Sequence, residues 1–278
     1  MHAPWCSILL HVDATPASVT RLQVALDIAE RHDARITALF AGVSPQGEGS
    51  FTYSAAAALD DLEGSRRSEW RHVAISRLRR AAGDDRSRIA WSEIGADELV
   101  RGFIAESAYA DLLIVGTPAS ADAEAGGPPS AFVESVVLES GRPVLVLPDA
   151  ASCAQLGRRI LVAWNGSPQA ARAVTGALPL LVAAESVHVA SWSHLPPSAP
   201  CSGLAIDGFL ARHGIAAELL LRAPGARIGD ELGEMAQRLG ADLVVMGCYG
   251  HSRARERVLG GVSRSMLQAR RMPLLLAH

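Results

Sequence analysis

The sequence predicts an α/β protein built from two tandem, doubly wound parallel-sheet (Rossmann-like) domains with five strands each. Three observations predict it. Short unbroken apolar runs alternate with helical patterns along the whole chain, and the order of those runs occurs twice. One run, Leu243-Val244-Val245-Met246, stops at Gly247-Cys248-Tyr249-Gly250, and nine residues later Gly260-Gly261-Val262-Ser263 precedes a helical pattern. Apolar strands between helices belong to parallel sheets covered on both faces. Ligands of such sheets bind outside the carboxyl ends of the strands, where strand order reverses.

Taken in order, residues 8–12 read as a strand and 18–32 as a helix, with Leu22, Ala25, Leu26 and Ala29 on one face. Residues 36–43 are a second strand, and a helix is expected near 59–82. Strands follow at 89–93, 112–116 and 144–147, with a helix over 96–107. The second half repeats the pattern: strand 160–164, helix 169–183, strand 187–192, helix near 203–213, strand 216–222, helix 227–239, strand 243–247, helix 263–270 and strand 274–277. The strands at 144–147 and 274–276 follow prolines and read as edge strands.

The repetition is visible residue by residue. Ile8-Leu9-Leu10-His11-Val12-Asp13-Ala14-Thr15-Pro16 corresponds to Ile160-Leu161-Val162-Ala163-Trp164-Asn165-Gly166-Ser167-Pro168, and Ala110-Asp111-Leu112 to Ala241-Asp242-Leu243. Arg142-Pro143-Val144 corresponds to Arg271-Met272-Pro273-Leu274 with one insertion. Matched order over three segments points to duplication of a domain, with boundaries at 1–149 and 157–278. The first copy carries about 21 surplus residues between its second and third strands, including Phe51-Thr52-Tyr53. That surplus either caps a pocket or partner surface, or is a longer helical hairpin on solvent.

Composition narrows the function classes. Of the 278 residues 49% are hydrophobic and 20% charged, which reads as soluble and globular. A net charge of −3 argues against a general nucleic-acid surface. No apolar run suffices to span a bilayer, and Met1-His2-Ala3-Pro4-Trp5 has no basic region leading into an apolar stretch, which reads as a protein without a secretory signal. Cys6, Cys153, Cys201 and Cys248 lack CxxC spacing and fit a cytoplasmic, reducing setting. The chain contains no lysine, all 26 basic residues being arginine. Walker-type P-loop enzymes, protein kinases and pyridoxal enzymes each need a lysine, so all three classes are excluded.

Together these residues resemble the universal stress protein family, over nearly the whole chain as a tandem two-domain member. The family's nucleotide signature is Gly, two residues, Gly, nine residues, Gly, then Ser or Thr. Gly247, Gly250 and Gly260 keep that spacing, and Gly261 stands where the hydroxyl residue is expected. The resemblance implies ATP, with or without Mg, in the second domain. Ala163, Asn165 and Ser167 would lie against adenine and ribose, Asn165 standing where the family usually has aspartate. Trp192 would offer backbone groups to the adenine edge, Gly247 and Gly250 would flank ribose and the first phosphates, and Gly260, Gly261, Val262 and Ser263 would meet the later ones. It also implies pairing of the two domains through their fifth strands as an intramolecular pseudo-dimer, a homodimer of chains being a further arrangement.

The first domain keeps Asp13 and Thr15 but not the glycine loop. Thr117-Pro118-Ala119 follows Gly116, and Gly126-Gly127-Pro128-Pro129 fills the interval. Prolines lack the N–H an anion needs, so one competent site per chain is expected. Arg253, Arg255 and Arg257 either reach phosphates or are solvated. Cys248 is either a redox-sensitive thiol or an inert small residue. His251 has no visible catalytic partner. No HxxH, HExxH or Cys/His cluster supports a protein-held metal, and no GxSxG elbow is present. No catalytic residue is assigned. The leading function is an ATP-holding stress-response regulator with an unidentified protein partner. The alternatives are a nucleotide-free interaction module and a slow ATPase.

Overall fold

The computed structural model describes residues 4–41, 53–83, 87–95, 98–117, 127–129, 131–149, 156–192, 205–223, 225, 227–248 and 261–278, with the backbone alone over 53–63. The chain divides into two compact units, Trp5–Val136 and Val137–His278.

The first unit contains β1 (Ser7–Val12), α1 (Ala17–His32), β2 (Arg35–Phe40), α2 (Tyr53–Ala82), β3 (Ile89–Glu93), α3 (Leu99–Ser107) and β4 (Leu112–Gly116). α4 (Phe132–Glu139) begins in it and ends in the second. Its strands run in the order β3-β2-β1-β4, all parallel. The second unit contains β5 (Val144–Leu147), β6 (Arg159–Ala163), α5 (Pro168–Ala183), β7 (Ser186–Trp192), α6 (Ile206–Arg212), β8 (Ala217–Arg222), α7 (Ile228–Leu239), β9 (Leu243–Gly247), α8 (Val262–Ala269) and β10 (Leu274–Ala277). Its order is β5-β10-β9-β6-β7-β8, parallel except for β5 against β10.

Each half contributes five strands, as the apolar runs predict. Ile8, Leu10, Leu112, Leu113 and Ile114 in the first unit are wholly buried, as are Ile160, Leu161, Val162, Leu243, Val244 and Val245 in the second. Burying each such side chain stabilises the fold by on the order of 1.5–3 kcal/mol, and flanking helices exclude water from both faces of the central strands. The two strands expected at edges pair with each other: Leu274, Leu275 and Leu276 lie opposite Val146, Leu145 and Val144 in an antiparallel ladder.

The repeated aspartates at the start of β4 and β9 tie strands together. Asp111 accepts from the N–H groups of Cys6 and Ser7 at 2.8 and 3.0 Å. Asp242 accepts from Gly157, Arg158 and Arg159 at 2.8, 3.0 and 2.9 Å. These carboxylates satisfy backbone donors at the entry of β1 and β6, the strand ends opposite the ligand-binding ends.

Two elements depart from the sequence reading. α4 was not foreseen, because Phe132, Val133, Val136 and Val137 follow a Gly/Pro-rich stretch that reads as loop; the helix starts directly after it, Phe132 N–H donating to the Pro129 carbonyl. The surplus of the first half is spent on α2, which is 30 residues long against 7 for α6.

Candidate functional site

In both units the strand order reverses beside the first strand of the half. The chain passes from β1 to β2 and β3 on one side and returns to β4 on the other; in the second unit it goes from β6 to β7 and β8 and returns to β9. The carboxyl ends of β1/β4 and β6/β9 are therefore the two switch points at which such sheets bind ligands.

In the second unit, Ala163 ends β6 and lies beside Met246 and Gly247 of β9. The turn after β6 is exposed. Asn165 Oδ1 accepts from Ser167 N–H at 3.1 Å, an Asx turn that bends the chain away from the sheet, and Gly166 between them has a φ of +73°, a left-handed conformation that suits glycine. Ser167 Oγ accepts from Ala170 N–H at 3.1 Å, capping α5, and Pro168 opens the helix. Gly247 has a packing reason to be glycine: a Cβ there would collide with the backbone of Gln169 and Ala170 at the start of α5. This brings the first turn of α5 onto the end of β9.

Trp192 ends β7, and its indole N–H donates to Glu231 Oε2 at 2.7 Å. Glu231 lies in the first turn of α7, and a Cβ on Gly229 of that turn would press on Ser265 of α8. The starts of α7 and α8 are thus in contact. Gly261 is the N-cap residue of α8, with φ −64° and ψ 169°, and it offers no side-chain cap. Val262 opens the helix and Ser263 is buried in it. The first N–H groups of a helix have no intrahelical partner, so the start of α8 carries donors without a side-chain cap among the described residues and the positive end of its dipole. Gly250 and Gly260, with Arg253, Arg255, Arg257 and His251, lie outside the described residues. Cys248 is buried, its N–H donating to the Ala277 carbonyl while its own carbonyl lies 3.0 Å from His278 Nδ1.

Sequence reasoning missed Gln169 and Glu231. Gln169 Oε1 is buried with no hydrogen-bond partner among the described residues, and the Gln169 backbone lies against Gly247. Its place directly behind Ser167-Pro168, inside the first turn of the helix, is the signal that could have singled it out. Glu231 carries no sequence signal, since its carboxylate meets Trp192 only through the fold. Among the described residues no group of three or more His, Cys, Asp and Glu could hold a metal ion, and no helix is long and apolar enough to cross a membrane.

The first unit's switch point is closed by contrast. Asp13, Ala14 and Thr15 are buried. Asp13 Oδ1 accepts from the N–H and hydroxyl of Thr15 at 2.9 and 2.5 Å, the hydrogen bond that Asn165 makes with Ser167, although Ala14 between them lacks the positive φ of Gly166. Asp13 Oδ2 pairs with Arg21 Nη2 at 2.6 Å. Burial pushes the Asp13 carboxyl upward, but Arg21, His11 and the Thr15 hydrogen bonds outweigh it and hold the group below its ordinary value. His11 packs against Phe103 and Phe132, with ring centroids 6.1 and 4.9 Å away. Desolvation takes its pKa from 6.5 to about 4; Asp13 pulls upward and Arg21 downward. Both His11 ring nitrogens and the Thr117 hydroxyl are buried with no hydrogen-bond partner among the described residues.

The fold and the strand-end sites define a tandem α/β protein of the doubly wound class. The model of the Universal stress protein family matches residues 157–278, so the carboxy-terminal half of the chain is similar to that family. A universal stress protein from Archaeoglobus fulgidus DSM 4304 superposes with a TM-score of 0.70 at 17% identity, covering 98% of this chain and 95% of its own. A functionally unknown protein from Pseudomonas aeruginosa PAO1 gives 0.57 at 17% identity, covering 98% and 92%. A universal stress protein from Archaeoglobus fulgidus in complex with dAMP gives 0.30 at 18% identity, covering 43% and 97%. The likeness to the first two, at 17% identity, is one of fold. No curated protein matches the chain.

Proposed function

We propose that the carboxy-terminal unit binds an adenine nucleotide, ATP by preference, and acts as a regulator that holds the nucleotide rather than turning it over rapidly. The observation that carries this reading lies at the switch point of the second unit: the turn after β6 is exposed, and β9 is followed in sequence by α8, which has no side-chain cap among the described residues. An uncapped helix start suits phosphate, because several N–H groups and the helix dipole act on one anion. The surroundings fit that group. Gly261 adds no side chain at the helix start, the Asn165 side chain is exposed, and the buried Gln169 Oε1 is an acceptor in want of a donor.

In this reading Ala163, Asn165 and Ser167 border the nucleoside, Trp192 its base edge, and Gly247, Gly250, Gly260, Gly261, Val262 and Ser263 the ribose and phosphates. Asn165 offers an uncharged amide where an aspartate would offer a carboxylate, which weakens the hold on ribose hydroxyls. A bound triphosphate would bring concentrated negative charge, and α8 would answer it with backbone donors that need no rearrangement.

Thermal unfolding with and without millimolar Mg-ATP tests the reading. Binding to the folded state alone raises stability by about 2.7 kcal/mol at ligand a hundredfold above Kd, and Gly250→Val, which blocks backbone approach, is expected to abolish the rise. An unchanged melting temperature in the parent chain would refute nucleotide binding and favour an interaction module. Phosphate release above a heat-killed control would move the assignment to an ATPase.

A further inference from the structure

The turns at the two switch points share an Asx-type hydrogen bond and differ in what lies over it. An offset of 152 carries Asp13 onto Asn165, Thr15 onto Ser167 and Arg21 onto Ala173. Ala173 is a buried methyl under α5, and the Asn165 turn beside it is open to solvent. Arg21, in the same place under α1, reaches across the end of the sheet. Its Nε lies 3.3 Å from the His11 carbonyl of β1, its Nη2 2.6 Å from Asp13 Oδ2, and a Cβ on Gly116 of β4 would run into its Nη1. The guanidinium therefore spans the ends of β1 and β4, the two strands between which the order reverses. A second arginine acts from α2: Arg77 Nη1 donates to the Ala14 carbonyl in the middle of the turn. α2 is the long helix that accounts for the surplus of the first half, and the corresponding helix of the second unit, α6, is only 7 residues long.

Stability alone does not explain this arrangement. A buried ion pair seldom stabilises more than the apolar residues that could replace it, and the second unit makes the same helix-on-strand joint with alanine. A carboxylate at the ligand end of a parallel strand is suited to accept from a sugar diol, and in the first unit both its oxygens are engaged, Oδ1 by Thr15 and Oδ2 by Arg21. We infer that Arg21 and Arg77 close the amino-terminal switch point from within, Arg21 standing in for a ligand's donors on Asp13 and Arg77 sealing the turn, so that each chain offers one open strand-end site instead of two. The closure is a property of residues outside the phosphate-loop region and is independent of the prolines that follow Gly116.

The inference is tested by titrating adenosine, which carries the diol and no phosphate, into the full chain by calorimetry. The variant Asp13→Asn/Arg21→Ala/Arg77→Ala gives the first unit the second unit's pair and lifts the outer arginine. It is expected to bind one more equivalent of adenosine per chain than the parent, with an affinity for the added site at least about tenfold above any residual binding there. A variant with the parent's near-ultraviolet circular dichroism that gains no equivalent overturns the proposal. The readout is a difference, so it stands whether the second unit binds: if it does not, the parent reads zero and the opened variant one. Should the variant fail to fold, hydrogen exchange of the parent decides. Closure predicts that amides 13–15 exchange at least about tenfold more slowly than 165–167 and do not respond to adenosine; equal rates overturn it.

Discussion

In the turn after β1, three consecutive residues are buried and their polar atoms are spent on one another and on two arginines; in the turn after β6, the same side-chain-to-backbone hydrogen bond is made by Asn165 and Ser167 and the turn faces solvent. The hydrogen bond is common to both because an Asx side chain bonded two residues on is a local device, set by Asp or Asn followed by a small residue and Thr or Ser; the backbone of the middle residue differs, Gly166 alone having a positive φ. The exposure is not local. It depends on whether the helix that packs over the strand end brings a guanidinium or a methyl to it. The two halves thus share the part of the site written in adjacent residues and differ in the part supplied from eight residues away.

The comparison can be broken most forcefully at Arg21. Replacing it alone by alanine strands a buried carboxylate and is expected to cost about 3–5 kcal/mol, read as a fall in denaturant midpoint. The double variant Asp13→Asn/Arg21→Ala removes both charges and is expected to return within about 1.5 kcal/mol of the parent, since replacing a buried pair outright is often near neutral. A double variant as unstable as the single one would show that the pair is needed for folding.

Acid probes the same cluster. His11 titrates at about 4 in the folded chain against 6.5 unfolded, so below pH 6.5 the unfolded chain takes up a proton that the folded one refuses. Stability therefore falls as pH drops from about 6.5 to about 4, by about 3 kcal/mol from this residue. The depressed Asp13 acts further to acid, its contribution being lost only as pH falls through its folded value, below 3.8. His32, also lowered by burial, works in the same direction as His11, so the residue-specific part is the difference between the parent and His11→Phe. Chemical denaturation at pH 7 and pH 4.5 measures it, and equal slopes in the two proteins would count against a buried neutral His11.

The glycines that end β4 and β9 provide a milder contrast. At Gly247 an added methyl meets helix backbone, which cannot move without shifting α5; at Gly116 it meets the tip of a side chain. Gly247→Ala is expected to cost about 3 kcal/mol and Gly116→Ala about 1 kcal/mol, within the range for overpacking, by urea denaturation of each. The smallest effect is at the helix start, where Ser167→Ala removes the cap of α5 and is expected to cost about 1 kcal/mol. α1 begins at Pro16 with no side-chain cap and has no equivalent residue to lose.

Much of the architecture was legible because it is written in short-range periodicity. Apolar runs such as Leu112–Gly116 and Leu243–Gly247, bounded by Asp and Gly, locate central parallel strands without any knowledge of what surrounds them. α4 was not legible: eight residues after a Gly/Pro-rich stretch carry too short a helical pattern to outweigh it, and its burial of Phe132 against His11 and Phe103 is a tertiary fact. Of the candidate site, Ala163, Asn165, Ser167, Trp192 and Gly247 could be placed at strand ends from the repeat alone. What could not be read was their use. Gly247 is demanded by the approach of α5, Ser167 by the cap of that helix, and Trp192 is engaged by Glu231, 39 residues away.

By itself, then, the order of amino acids determined two copies of an alternating strand-and-helix pattern, the bend after the first strand of each copy, and glycines bounding the strand end in the second. Only the tertiary structure decided which bend is buried. A guanidinium carried on a helix lies within reach of a strand-end carboxylate only after helix and sheet have packed, and no spacing along the chain records whether an arginine at such a position faces water or the end of the sheet.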